Sequence, residues 1–163
     1  AKGAVSIPSH WTTKGFLYKK LAAAIDVCFG ALEKEGYHPE IISFCWMQGE
    51  DDASKDDLTE HYSENLASVV ENLRSDYAKY APAKGIPFID AGISSYWKNY
   101  ERLNEIKKEF AGASDLNYYF DTMEEGLTYD KEPADKCHFD SDSVVKLGEL
   151  FASYTMNAYK AAK

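Results

Sequence analysis

The segment Ile41-Ile42-Ser43-Phe44-Cys45-Trp46-Met47 constrains the fold most: it is almost wholly apolar, follows Pro39, and turns polar abruptly at Gln48-Gly49-Glu50. A strand with one wet face alternates apolar and polar residues, so a short continuous run fits a parallel strand covered on both faces. Parallel strands need long crossovers, normally helices, and the flanking sequence supplies them. From Phe16 to Glu35, the residues Phe16, Leu17, Leu21, Ala24, Ile25, Cys28, Phe29 and Leu32 recur at helical spacing, and Gly36 is a C-cap candidate. A second helix is expected over Leu58 to Tyr80, with Leu66, Val69, Val70, Leu73 and Tyr77 inward and Pro82 and Gly85 ending it.

The alternation continues. Ile86 to Ile93 reads as a strand, Asn99 to Phe110 as a helix, and Leu116 to Met123 as a third strand. A charged loop containing Pro133 leads to a last helix that Ser141 or Asp142 can cap, with Val144, Val145, Leu147, Leu150, Phe151, Tyr154 and Met156 as its apolar residues. This pattern implies an α/β sandwich in which helices cover a parallel sheet. Open parallel sheets usually have about five strands, so residues 1–163 are expected to form a single, partial domain whose N-terminal strand region is absent.

Composition removes several functions. The 163 residues carry 18 Lys+Arg against 27 Asp+Glu, a formal net charge of −9, which disfavours nucleic acid and anionic membrane as partners because phosphate binding relies on clustered cations. No apolar run approaches the roughly 20 residues of a membrane helix. Cys28, Cys45 and Cys137 form no Cys-x-x-Cys spacing, and His10, His38, His61 and His138 are scattered, so neither a disulfide framework nor a metal site is expected. Cys28 and Cys45 read as core fillers.

Sites of open α/β sheets form at the carboxyl ends of the strands, and two polar clusters fall at such places. In Asp135-Lys136-Cys137-His138-Phe139, an Asp three residues before a His can turn back to accept the imidazole N–H, fixing the tautomer while the other nitrogen takes a proton from a nucleophile. A plain surface loop accounts for the same spacing. In Gln48-Gly49-Glu50-Asp51-Asp52, an amide beside a glycine could donate to a developing oxyanion, or the glycine only turns the chain and the glutamine is solvated. Glu50 is either a second acid near the histidine or the first-turn charge of the next helix. Asp51, Asp52, Asp56 and Asp57 read as a solvated acidic loop.

Together the two clusters carry a resemblance. Trp46-Met47-Gln48-Gly49-Glu50-Asp51-Asp52-Ala53 resembles the Trp-x-Gln-Gly-Glu-x-Asp-Ala block of carbohydrate esterase family 6 and the sialate O-acetylesterase-like proteins, a branch of the SGNH hydrolases. Asp135-x-x-His138-Phe139, followed by Gly148, is similar to the family's Asp-x-x-His-Phe segment and the helix after it. Leu73-Arg74, Ile86-Pro87-Phe88-Ile89 and Ser6-Ile7 ahead of Trp11 are weaker matches; where the family has a double glycine, Gly3-Ala4 stands here. The family's nucleophile block, Gly-Gln-Ser-Asn, does not occur, and Ser6 and Ser9 align with a later segment.

The resemblance implies a flavodoxin-like three-layer α/β/α sandwich and a cofactor-free serine esterase removing O-acetyl groups from carbohydrate, as acetylxylan and sialate O-acetylesterases do. It implies His138 as general base, Asp135 as its acid, Glu50 as a second acid, and Gln48 and Gly49 at the oxyanion border. The expected partners are an acetylated carbohydrate substrate and a second chain or copy completing the sheet. Secretion or a periplasmic location follows from the family's substrates alone. The rival readings are a non-catalytic carbohydrate-binding relative and a flavodoxin-like interaction domain.

Overall fold

A computed structural model describes residues 5–129 and 137–163. The elements run α1 (Ile7–His10), α2 (Phe16–Lys34), β1 (Phe44–Trp46), α3 (Glu50–Ala53), α4 (Asp56–Glu60), α5 (Tyr62–Asp76), a 3-10 turn (Ala78–Tyr80), β2 (Phe88–Ala91), α6 (Tyr100–Gly112), β3 (Asn117–Phe120) and α7 (Ser141–Ala162). The three strands form one parallel sheet in the order β1-β2-β3, with Phe44 opposite Phe88 and Phe88 opposite Asn117. Each expected strand is present, shortened to its paired residues.

Because side chains alternate across a strand, β2 feeds two cores. Phe88, with Trp46 and Ile86, packs beneath α5 and α6 in a cluster containing Leu66, Val69, Val70, Leu73, Leu103 and Ile106. Ile89 and Ala91 face the other way, joining Phe120 and Ala158 under Leu147, Leu150, Phe151 and Tyr154 of α7. Helices therefore lie on both faces, which gives the three-layer α/β/α sandwich of an SGNH-type fold with few strands. Arg74 of α5 pins the amino edge: Nε donates to the Ile86 carbonyl at 2.9 Å, and Nη2 to the Leu116 carbonyl at 2.9 Å and Asn117 Oδ1 at 2.8 Å. Burial pulls the Arg74 pKa down, and these acceptors still leave it charged.

Four sequence expectations are corrected. The helix expected over 58–80 breaks at His61 into α4 and α5 and ends in a 3-10 turn. The N-cap of α7 is Asp140, which accepts from the Ser143 N–H at 2.8 Å, rather than Ser141 or Asp142. Cys28 and Cys45 are exposed rather than core fillers: Cys28 follows Asp26 and Val27 on an exposed stretch of α2, and Cys45 lies on the edge strand β1. Asp52 is fully buried instead of solvated. Among the described residues no strand pairs with the outer side of β1, and no helix is long and apolar enough to cross a membrane.

Candidate active site at the carboxyl edge of the sheet

The chain leaves β1 at Trp46 and turns sharply at Gly49, whose φ is +138°. Any side chain there would strain the backbone, and a Cβ would lie 2.6 Å from Leu103 Cδ2 and 3.3 Å from Ile93 Cγ2. Glycine thus lets the turn lie flat on α6 and on the segment following β2. Glu50, half-buried, opens α3, in keeping with a first-turn acid.

Gln48 is buried rather than solvated. Its Nε2 donates to the Val5 carbonyl at 2.8 Å and to Asp52 Oδ2 at 2.5 Å, using both hydrogens of the amide. Asp52 in turn accepts from the Ile7 N–H, 3.3 Å from each oxygen. Burial pushes the Asp52 carboxyl up, while the hydrogen bonds from Gln48 and Ile7 oppose the shift. Behind the turn, Tyr62 Oη donates to the Gln48 carbonyl at 3.2 Å and accepts from Trp46 Nε1 at 3.3 Å. Gln48 therefore locks the segment bearing Ser6 to the turn; Ser6 is buried and shares a hydrogen bond with Ser9.

Beneath this turn lies an ion pair the sequence reading missed. Lys107 Nζ donates to Asp90 Oδ1 at 2.8 Å and to the Ala91 carbonyl at 2.8 Å, with both side chains fully enclosed. Burial raises the Asp90 pKa to about 6 against the pull of Lys107, and the charge of Glu50 pushes the same way as burial. The signal was present: Lys107 lies four residues after the inward Leu103, on the buried stripe of α6.

The histidine block reaches the same edge by another route. After Ile93, the Ser95 N–H donates to Tyr129 Oη at 2.7 Å, and Ser95 Oγ lies 3.0 Å from it. Tyr129 forms an isolated antiparallel bridge with Phe139, their rings stacked at 5.8 Å and 9°. Phe139 immediately follows His138, which is exposed with Nδ1 3.7 Å from Cys137 Sγ. Gly49, Ile93, Ser95, Tyr129, Phe139 and His138 thus form a continuous path along the carboxyl edge, where open α/β sheets place their sites. Asp135 lies outside the described residues. Among the described residues, no group of three or more His, Cys, Asp or Glu is arranged to hold a metal ion.

An exposed imidazole and a half-buried carboxylate beside a glycine turn, on one sheet edge, can move a proton and orient its donor. No curated protein matches the chain. The family model described as carbohydrate esterase, sialic acid-specific acetylesterase matches residues 1–157. With the fold and this edge in place, the chain belongs to that carbohydrate esterase family.

Proposed function

We propose that this chain supplies the histidine-and-acid part of a serine acetylesterase that removes O-acetyl groups from sugars, of polysaccharide or sialic-acid type. His138 is the general base, Asp135 and Glu50 share the task of orienting and stabilising its imidazolium, and Gln48 and Gly49 border the oxyanion. The observation that carries this reading is the contact path joining the Gly49 turn to the His138 loop through Ser95, Tyr129 and Phe139. With Nε2 of Gln48 already engaged, its contribution is to hold the turn.

The serine Oγ attacks the acetyl carbonyl and its proton passes to His138, which returns it to the departing sugar oxygen. Water then attacks the acetyl-enzyme and gives a proton to His138, which passes it to the departing serine Oγ as acetate is released. No serine of residues 1–163 is assigned as the nucleophile, and a second chain or copy pairing with the outer side of β1 completes the sheet. Acetylated polysaccharide as substrate favours an exported protein.

The test is acetate release from acetylated xylan and from O-acetylated N-acetylneuraminic acid by the protein in its native assembly. His138→Ala should lower kcat by 10³-fold or more, with Asp135→Asn and Glu50→Gln dividing a smaller loss. Turnover untouched by His138→Ala would contradict the assignment, and sugar binding without turnover would favour the non-catalytic relative. If Glu50→Gln alone abolishes turnover while Asp135→Asn leaves it intact, Glu50 is the principal acid.

A further inference from the structure

The turn after β2 carries an aromatic ring that the hydrolytic step does not use. Tyr96 is 55% exposed, yet its backbone is fixed on both sides. Upstream, Asn104 holds Ile93 through both backbone groups, at 2.8 and 2.9 Å, and Tyr129 holds Ser95. Downstream, Lys98 pairs with Asp56 at 2.8 Å, Asn99 Nδ2 donates to the same carboxylate at 2.9 Å, and the Asn99 N–H donates to the Ala53 carbonyl at 3.1 Å. Trp97 braces the ring edge-to-face at 5.4 Å and 87°.

Singly exposed apolar side chains are common; Tyr96 differs in standing on a backbone held from both sides and in being braced by Trp97. It also directly follows Ser95, the residue that clasps Tyr129 in the path to His138. The same turn contains two buried side-chain donors, Ser94 Oγ and Trp97 Nε1, without a hydrogen-bond partner among the described residues. Each such group costs about 1–3 kcal/mol, a cost that folding alone does not explain.

We propose that Tyr96 is a sugar-stacking platform that holds the pyranose ring of the ester substrate beside the His138 loop. This rests on the carbohydrate reading given above. The C–H face of a sugar is weakly positive and apolar, and it complements the negative face of an aromatic ring. A preset ring binds it without the entropic cost of ordering a loop.

Saturation-transfer NMR on the 163-residue chain tests this with two probes, O-acetylated xylo-oligosaccharide and O-acetylated N-acetylneuraminic acid. The wild type should transfer magnetisation to ring C–H protons of at least one probe. Tyr96→Ala should weaken that binding tenfold or more with unchanged circular dichroism, and Tyr96→Trp should restore it. Binding that survives Tyr96→Ala at wild-type affinity overturns the platform and leaves the carbohydrate reading standing. Absence of transfer from the wild type to either probe contradicts that reading, and the platform falls with it.

Discussion

Helices α5 and α2 have similar amphipathic sequences and unequal cover. Helix α5 buries Tyr62, Leu66, Val69, Val70 and Leu73, whereas the longer α2 fully buries only Tyr18 and lays Leu21, Ala22, Ile25 and Phe29, partly buried, against the same core. Val27 of α2 is 73% exposed, and on α7 Val144, Val145 and Met156 are also in water. Ile42 and Cys45 are exposed at or beside β1, a strand paired with β2 on its inner side alone among the described residues. The Asp90–Lys107 region between β2 and α6 is the closed flank, and the outer side of β1, which like that of β3 has no partner strand among the described residues, is the open one, the kind of edge that recruits a further strand. The contrast orders the expected effects of substitution.

The largest effect belongs to the closed flank. Lys107→Met leaves Asp90 buried without its counter-charge and should cost on the order of 3–5 kcal/mol in urea unfolding at pH 7. A cost no larger than that of a surface substitution would break the comparison. Next comes pH. The folded-state pKa of Asp90, about 6, lies above its ordinary value of 3.8, so the native state holds this proton more tightly than the unfolded chain. Its contribution to stability is greatest below pH 4 and is lost as pH rises towards 6, a fall on the order of 2–3 kcal/mol. Asp90→Asn, isosteric with the protonated acid, should flatten that slope.

Gly49→Ala should destabilise by about 2 kcal/mol, through the positive φ and the close approach to Leu103, and should disturb the amide signals of residues 93–95. The smallest effects belong to the open flank. Val27→Asp and Val145→Asp should each change stability by less than about 0.5 kcal/mol and lower self-association or partner capture in light scattering. A loss of several kcal/mol would show these residues to be core after all.

The same contrast explains what the sequence could tell. Apolar runs and turn residues gave three parallel strands, their crossovers and the inner stripe of α5, because those residues pack on neighbours within the chain. Phe16, Cys28, Val144, Val145 and Met156 follow helical periodicity equally well and are in water, since periodicity records a face to be covered and not whether the cover is present. Asp52 and Lys107 failed for the opposite reason. Their charge predicts solvent, and only the partners Gln48, Ile7 and Asp90 make burial tolerable. At the site, the Gln-Gly-Glu and His138 blocks were legible as motifs. Tyr129 and Ser95, which tie them to one edge, carry no local signal because their contact spans 34 residues.

The Gly49 turn and the His138 loop share one edge of the sheet, and that placement is open to a direct test. A nitroxide at Glu50→Cys, in a background with Cys28, Cys45 and Cys137 changed to Ser, tests it through paramagnetic broadening of backbone amides. Strong broadening is expected at Ser95, His138 and Phe139, with Lys84 and Leu116 at the opposite edge spared. Broadening of Lys84 and Leu116 with sharp His138 and Phe139 signals would contradict it.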